Sequence, residues 1–313
     1  MEFYELWKVN PKEACKIKDK WQKYLSRQSK RQHTARRMKN KEEMKQFTLD
    51  LALDYLAIGI DPKKSIIFKQ SEVSAHTELA WIFNTIVTMP YLMRAHAYKD
   101  AEAKNKEISV GTFDYPILMA ADILLYDTTI VPVGQDQKQH VEYARDIAEK
   151  FNHIFGGPKD VNSNPIAPVL TLPEPFIVEN VGTVPGIDGR KMSKSYNNTI
   201  PLFATRDEIT KAVMSIVTDS TGDVPTNVYA IHKLFKTEAE LKLLYETNKG
   251  KYKALKDALV EDIDAFVKPM RERREKLAKN PAKVIKILEK AAKQARKIAD
   301  DKLTEVKRAI GVI

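Results

Sequence analysis

Several features are scarce or missing in this 313-residue chain, and each excludes something. Cys15 is the one cysteine, so no intrachain disulfide can form, which favours a reducing cytoplasm. No apolar run reaches the roughly 18 residues that a membrane-spanning helix needs. The first residues are charged, so we expect no apolar export signal. The first of the 11 glycines is Gly59, so residues 1–46 contain no glycine turn.

The net charge of +10 is unevenly distributed. Residues 1–46 hold 14 Lys and Arg against 6 Asp and Glu, and residues 251–313 hold 18 against 10. Residues 47–250 hold 20 against 26, so this middle part is mildly acidic. The basic C-terminal part could attract a polyanion such as RNA. A solvated helical surface explains the same charges equally well.

The apolar periodicity after Lys41 predicts an α/β fold. It predicts helices over residues 41–58, 76–88, 116–125 and 137–151, and strands over 65–68 and 129–133. Strands that alternate with helices are typical of a Rossmann-like parallel sheet. Prolines and glycines cluster in residues 156–190, and helical patterns dominate after Arg206. We therefore expect an atypical basic segment at 1–40, a Rossmann-like catalytic domain at 41–195 and a helical domain at 196–313.

A cationic loop is predicted at residues 191–195, which read KMSKS. Lys191 and Lys194 flank small and polar residues, and the glycines of the preceding PGIDG segment permit unusual backbone angles. Such a loop can bring ammonium groups to a triphosphate, where they stabilise the charge that develops as pyrophosphate leaves. An ordinary surface turn is the competing interpretation, and we favour the phosphate-binding loop.

A second candidate lies at residues 132–137, where a predicted strand ends at Gly134 and a helix follows. Ligands of α/β proteins bind at the carboxyl ends of strands. Gly134 would let a ligand approach the backbone, and Asp136 could accept hydrogen bonds from a ribose or an ammonium group. Asp136 could also stabilise the start of the helix, which is compatible with ligand contact.

The third candidate is a helix face in residues 113–122. Tyr115, Met119 and Asp122 fall at i, i+4 and i+7, so they share one side of the helix. This side offers an apolar wall that ends in a carboxylate, and a buried carboxylate needs a hydrogen-bond donor. An indole supplies one N–H on a large apolar body. Taken alone, the segment slightly favours a core helix whose Asp122 pairs with a basic neighbour.

Together the three segments resemble tryptophanyl-tRNA synthetase, a class I aminoacyl-tRNA synthetase. KMSKS is the flexible-loop signature of class I, and the segment at 134–137 is of a type shared with the tyrosine enzymes. The stretch at 113–126 is specific to the tryptophan branch, since the tyrosine branch normally has Gln at the position of Met119. The resemblance runs from about Lys41 to Ser195 and more loosely into the C-terminal helices.

The resemblance implies a role for each matching residue. Asp122 would accept the indole N–H, with Met119, Val131 and Val133 lining the ring pocket and Tyr115 and Gln137 holding the amino group. Adenosine would contact Gly134, Gln135 and Asp136, and Val184 would lie near the adenine. The loop over the phosphates would comprise Lys191, Met192, Ser193, Lys194 and Ser195, of which Lys191, Lys194 and Ser195 would be catalytic.

The chain departs from the family at its beginning. The family opens with a strand, a glycine-rich turn and a HIGH-type motif that binds ATP phosphates on backbone N–H groups. No such pattern precedes Lys41, so residues 1–32 are a shifted reading frame, a truncation or a divergent replacement. His33 falls near the family's pocket histidine, but its neighbours match poorly, and we favour a solvated surface residue.

The resemblance implies ATP-dependent activation of L-tryptophan and its transfer to tRNA(Trp), with Mg²⁺ accompanying ATP and no metal ligands in the protein. It also implies a homodimer, with contacts near residues 88–93, and a tRNA-binding role for residues 196–313. Two alternatives remain: a tryptophan- and tRNA-binding protein that lost activity with the HIGH element, and a tyrosine-specific enzyme, against which Met119 argues.

Overall fold

The computed structural model describes residues 41–103, 107–134, 137–157, 168–177, 184–193, 196–218 and 224–313. These ranges are mainly helical and contain one short sheet. The elements in chain order are α1 (Lys41–Ala57), a 3₁₀ turn (Gln70–Glu72), α2 (Ala75–Asn84), α3 (Met89–Leu92), α4 (His96–Ala103), α5 (Val110–Leu124), β1 (Ile130–Val133), α6 (Lys138–Phe155), β2 (Glu174–Ile177), α7 (Arg206–Met214), α8 (Thr226–His232), α9 (Glu238–Thr247), α10 (Tyr252–Ala278) and α11 (Pro281–Ala309).

The sheet is parallel, as the alternating pattern predicted. β1 pairs with β2 in a register that runs from Ile130 opposite Glu174 to Val133 opposite Ile177. Helix α6 connects the two strands, which makes a β-α-β crossover. The predicted strand at 129–133 and the predicted helix at 137–151 are therefore confirmed, with α6 extending to Phe155.

The predicted strand at residues 65–68 is wrong. These residues form a turn and an irregular segment that leads into the 3₁₀ turn at Gln70. Ile66 is 45% exposed, and Phe68 packs against the first core beside the ring of His76. The run of apolar residues therefore anchors a loop through one aromatic side chain, and it pairs with neither of the two strands in the described part of the chain.

The chain divides into two compact units, and each is described by itself. The first contains the described parts of residues 1–52 and 60–180 together with residues 282–313. The second contains residues 53–59 and the described parts of 181–281. These units differ from the predicted domain limits in three places, because residues 53–59 and 184–193 group with the second unit and α11 groups with the first. The assignment of residues 196–313 to tRNA binding stays a prediction.

The core of the first unit is built around α5, which packs against both α2 and α6. Leu79 and Phe83 of α2 and Phe151 of α6 are fully buried, and the Phe83 and Phe151 rings meet edge to face at 6.2 Å. Asn152 holds the segment before β2, because its side chain accepts from the Leu170 N–H at 2.9 Å and donates to the Leu170 carbonyl at 2.7 Å.

Helix α11 completes this same core. Ala295, Ala299, Leu303 and Val306 recur at helical spacing and are buried with the residues of α2, α5 and α6. Small alanines in the middle of the stripe let the helix approach its neighbours closely. The apolar stripe explains why α11 groups with the first unit, although it lies at the other end of the sequence.

The second unit has its own core, in which α10 packs against α7 and α8. Two of its helices begin with capping boxes, in which Thr205 pairs with Glu208 and Thr237 with Glu240. The fully buried side chains of this core include Ile209, Val213, Val228 and Leu259.

In the part of the chain that the structure describes, no helix combines the length and the apolar character that crossing a bilayer requires.

Candidate active site

Helix α5 presents the predicted face. It begins after Ser109, whose side chain accepts a hydrogen bond from the Thr112 N–H, and so starts earlier than the predicted residue 116. Tyr115, Met119 and Asp122 are all partly exposed, whereas Ile117 on the opposite side is fully buried. The prediction that these three residues share one side of a helix is confirmed, and their roles in binding stay predictions.

The carboxylate of Asp122 is held by an amide from outside its helix. The side-chain nitrogen of Gln70, in the 3₁₀ turn, lies 2.6 Å from Oδ1 and 2.8 Å from Oδ2 of Asp122. The donor that a desolvated carboxylate needs is therefore an uncharged amide and not a lysine or arginine. This contact orients the carboxylate and leaves its outer lone pairs for another donor.

A histidine and a tyrosine lie behind the same carboxylate. His76 is almost fully buried, with Nδ1 3.3 Å from Asp122 Oδ1 and Nε2 2.7 Å from the Tyr126 hydroxyl. If the Tyr126 O–H donates to Nε2, then Nδ1 carries the proton and faces the carboxylate. The Phe68 ring packs against both His76 and Tyr126 at centroid distances of 5.9 Å.

Burial shifts the pKa values of both Asp122 and His76. Desolvation raises the pKa of Asp122 from 3.8 to about 7, while the hydrogen bond from Gln70 acts in the opposite direction. Desolvation lowers the pKa of His76 from 6.5 to about 4, so its ring is neutral near pH 7. Asp122 therefore changes its ionisation near neutral pH, and the groups beside it, Gln70 and His76, are uncharged there.

Tyr115, at the start of the face, is paired with a second buried histidine. Its hydroxyl lies 2.7 Å from Nε2 of His140 on α6, and the two rings stack at 5.4 Å with a tilt of 34°. Burial raises the pKa of Tyr115 to about 12, so its phenol stays protonated. Tyr115 is therefore a fixed hydrogen-bonding group on a half-buried helix face.

The segment around β1 holds the other predicted pocket residues. Val131 and Met119 each pack against the first core, and Val133 is 2% exposed. Gly134 follows β1, and Gln137 is the residue at which α6 begins. The side chain of Gln137 makes no hydrogen bond that caps this helix. Gln135 and Asp136, with the predicted adenosine contacts, lie outside the described residues, as does His33.

The predicted phosphate loop belongs to the second unit and begins as a β-hairpin. Pro185 pairs with Lys191 in an antiparallel bridge, and the Met192 N–H donates to the Val184 carbonyl at 2.8 Å. Gly189, at φ +76°, makes the tight turn. Val184 packs against the core of the second unit, which anchors the first arm of the hairpin.

The polar residues of this hairpin are closely connected. Asp188 receives the guanidinium of Arg190 at 2.7 and 2.8 Å and the amide of Asn198 at 2.6 Å. The hydrogen bond from Asn198, followed by those from Arg190, lowers the pKa of Asp188. Lys191 is exposed on the second arm, whereas Met192 and Ser193 are partly buried. Lys194 and Ser195 lie outside the described residues.

Sequence reasoning missed Gln70, His76, Tyr126 and Asn198. The need of Asp122 for a donor was foreseen, but Gln70 lies 52 residues earlier in the chain, so its identity depends on packing. Asn198 directly follows the signature loop, and the signal that could have found it is a carboxamide beside a predicted turn.

The comparison with protein families agrees with this geometry. Residues 28–288 match the model of the class I tRNA synthetases for tryptophan and tyrosine. Tryptophan–tRNA ligase of Fusobacterium nucleatum is 43% identical over 289 residues, which cover 90% of this chain and 86% of that protein. The corresponding ligase of Campylobacter jejuni is 44% identical over 280 residues, with 87% and 84% covered.

Solved structures show the same similarity. The crystal structure of tryptophanyl-tRNA synthetase from Campylobacter jejuni, complexed with ADP and tryptophan, has a TM-score of 0.77 at 43% identity and covers 88% of this chain and 85% of its own. The synthetase from Mycoplasma pneumoniae has a TM-score of 0.71 at 28% identity, with 87% and 84% covered. The chain belongs to the class I tRNA synthetases and, within them, to the tryptophanyl-tRNA synthetases. The predicted Rossmann-like fold class is thereby confirmed.

Proposed function

We propose that the protein is an enzyme that activates L-tryptophan with ATP and transfers it to tRNA(Trp). The observation that carries this proposal is the partly exposed face of α5, which ends in an Asp122 carboxylate held by Gln70. Family membership supplies the reaction class, and the face supplies an acceptor suited to an indole N–H.

The reaction has two steps. A carboxylate oxygen of tryptophan forms a bond to the α-phosphorus of ATP while the bond to the β-phosphate oxygen breaks, giving tryptophanyl-adenylate and pyrophosphate. A ribose hydroxyl at the 3′-end of the tRNA then attacks the acyl carbon, and AMP leaves. Neither step needs a covalent bond to the enzyme, so positioning and electrostatic stabilisation provide the catalysis.

Tryptophan recognition is assigned to the first unit. Asp122 accepts the indole N–H, and Met119, Val131 and Val133 line the apolar ring site. Tyr115 and Gln137 hold the amino group through oxygen atoms. The tilted stack of Tyr115 on His140 fixes the phenol and supports its role as an orienting group. Tyrosine has no N–H at the matching place on its ring, which supports tryptophan as the substrate.

ATP recognition is assigned to Gly134, Gln135 and Asp136 for adenosine and to the hairpin for adenine and phosphates. In the hairpin, Val184 contacts the base, while Lys191, Met192, Ser193, Lys194 and Ser195 enclose the phosphates. Among the described residues, no group of three or more His, Cys, Asp or Glu side chains could hold a metal ion. Mg²⁺ would enter with the ATP phosphates, whose charge it neutralises.

The direct test is the exchange of labelled pyrophosphate into ATP, measured with tryptophan, with tyrosine and without an amino acid. Exchange that requires tryptophan supports the proposal. Tryptophan binding without exchange would support a binding protein that has lost adenylate formation, and exchange driven better by tyrosine would reverse the substrate assignment.

Partners follow from the same proposal. The basic charge of residues 251–313 suits tRNA phosphates, so tRNA affinity should fall steeply with salt. A homodimer is supported by three exposed apolar side chains, since Trp81 on α2 is 73% exposed, Met89 in α3 is 62% exposed and Met93 directly after α3 is 40% exposed. If Trp81→Glu is monomeric while a control substitution at the exposed Leu243 leaves the protein dimeric, the result supports this surface as the dimer contact. A single cysteine suits a reducing cytoplasm.

A further inference from the structure

The side chain of Asn198 lies inside the signature hairpin. It is 1% exposed, and all of its polar capacity is directed at three residues of the loop. Its oxygen accepts the Ser193 N–H at 2.7 Å, and its nitrogen donates to Asp188 Oδ1 at 2.6 Å and to the Lys191 carbonyl at 3.2 Å. Two of these partners belong to the KMSKS segment itself.

The backbone of the hairpin at residues 186 and 187 lies in close contact with Asn198. The Ile187 N–H donates to the Asn198 carbonyl at 3.0 Å. A Cβ at Gly186 would lie 2.3 Å from the Asn198 amide nitrogen and 2.7 Å from its carbonyl oxygen. Any side chain at position 186 would therefore displace Asn198, so the glycine is required by close approach and not by its backbone angle.

The other arm of the hairpin is tied to a stable part of the second unit. The Val217 N–H donates to the Ile187 carbonyl at 2.8 Å, and the Asn227 amide in turn donates to the Val217 carbonyl at 2.8 Å. Asn198 thus lies between an anchored arm, at Ile187 and Asp188, and the arm that carries Lys191 and Ser193.

If Asn198 had a purely structural role, its hydrogen bonds would serve only to pair buried polar groups. Its partners indicate a role in positioning as well, because Asn198 donates to the backbone carbonyl of Lys191, whose side chain carries an ammonium group of the signature loop. Preorganised charge lowers a barrier only when it is held where charge develops, and a displacement of about 1 Å can cost 100-fold in rate.

We propose that Asn198 is a positioning residue for adenylate formation, which holds the backbone of Lys191 and Ser193 so that the loop meets the ATP phosphates in one arrangement. This inference rests on the proposed function. It assigns to Asn198 an effect on the rate of the chemical step and none on the binding of tryptophan.

The experiment compares Asn198→Ala, Asn198→Asp, Asp188→Asn and the double variant Asp188→Asn/Asn198→Asp. For each, the kcat and the KM for ATP are measured in tryptophan-dependent pyrophosphate exchange, and the Kd for tryptophan is measured by calorimetry. We expect Asn198→Ala to lower kcat by roughly 10–100-fold with the Kd changed less than twofold.

The exchange of the two side chains gives the sharper test. Asn198→Asp alone sets two carboxylates against each other, so it should lower kcat at least as much as Asn198→Ala. The double variant restores a donor at 188 and an acceptor at 198, and it lacks the donation to the Lys191 carbonyl just as Asn198→Asp does, so this comparison isolates the contact between positions 188 and 198. We expect it to be at least fivefold faster than Asn198→Asp, although the pairing of Asp188 with Arg190 is lost.

The matched control is Asn248→Ala, which removes an asparagine that also bonds a backbone carbonyl in the second unit, that of Leu244 at 3.0 Å. Its kcat should stay within twofold of the parent. Absence of exchange in the parent protein would overturn the proposed function. Exchange in the parent with unchanged kcat in Asn198→Ala would overturn only the role of Asn198. If Asn198→Ala does not fold, equal kcat in Asn198→Asp and the double variant would overturn that role.

Discussion

The side-chain nitrogen of Gln70 bridges both oxygens of Asp122, at 2.6 and 2.8 Å. A single amide therefore fixes the plane of the carboxylate, although the two residues come from a 3₁₀ turn and from a helix 52 positions later. With His76 at 3.3 Å on one side, the carboxylate has one orientation in which it can accept a further donor.

Removing the charge of Asp122 should weaken the binding of tryptophan. In Asp122→Asn a charged acceptor becomes a neutral one, and the new amide nitrogen competes with that of Gln70. A hydrogen bond to a charged group contributes about 1.5–3 kcal/mol, so the Kd at pH 8 should rise roughly 10- to 150-fold. Calorimetry measures this, with Asp114→Asn on the same helix as the control. An unchanged Kd would make Asp122 a structural residue.

Tryptophan affinity should also depend on pH near neutrality. The pKa of Asp122 is about 7, so the stronger, charged acceptor is lost as the pH falls through that value. The hydrogen bond from Gln70 lowers this pKa, so Gln70→Met should move the midpoint of the Kd profile to higher pH. Titrations from pH 5.5 to 9 measure the midpoint. Coincident profiles for the parent and Gln70→Met would contradict the assignment.

The same carboxylate should cost stability at alkaline pH. The folded pKa of about 7 exceeds the unfolded value of 3.8, so the folded state holds a proton that the unfolded state has lost between these values. The contribution of Asp122 to the free energy of unfolding therefore decreases as the pH rises from about 4 to 7. Asp122→Asn should raise the Tm relative to the parent at pH 8 and not at pH 4. A lower Tm at pH 8 would show that ionised Asp122 stabilises the fold.

His76 should make the protein acid-sensitive. Its folded pKa of about 4 lies below the unfolded 6.5, so the unfolded state binds more protons between these values. The contribution of His76 to the stability should therefore decrease as the pH falls from 6.5 to 4, by on the order of 2–3 kcal/mol, while the contribution of Asp122 changes in the opposite direction. Urea unfolding of His76→Gln should lack this part of the slope, whereas His153→Gln, at an exposed position of α6, should keep it. Equal slopes would contradict the prediction.

Lys194 should act on the rate and not on tryptophan binding. Lys194→Ala removes an ammonium group that is proposed to stabilise the leaving pyrophosphate. We expect a loss of roughly 100-fold in the kcat of pyrophosphate exchange with an unchanged Kd for tryptophan. Stopped-flow measurement of adenylate formation separates the two quantities. Equal losses in both would rule out a role confined to the transition state.

The sequence predicted the parts of the site that depend on local geometry. The spacing of Tyr115, Met119 and Asp122 determines a common helix side, and the structure confirms it. The loop before Lys191 was predicted from its glycines, and Gly189 does adopt a positive φ that few other residues favour. These inferences needed no knowledge of distant packing.

What could not be predicted depends on contacts between distant segments. The run at 65–68 has the composition of a strand, yet Phe68 packs as a loop anchor on His76 and Tyr126. The apolar stripe of α11 predicts a helix but does not say which core it enters. From its helix alone, Asp122 was expected to pair with a basic residue, and in the structure its hydrogen-bond donor is the amide of Gln70, in the 3₁₀ turn.

The burial of Leu303 and Val306 in the first core has a consequence for synthesis on the ribosome. Helices α2, α5 and α6 emerge before α11, and the surface that α11 covers stays open until residues 281–309 have been translated. The nascent polypeptide must therefore carry an incomplete apolar core while the residues between α6 and α11 are added. Chaperones that bind exposed apolar segments would find this surface available during that interval.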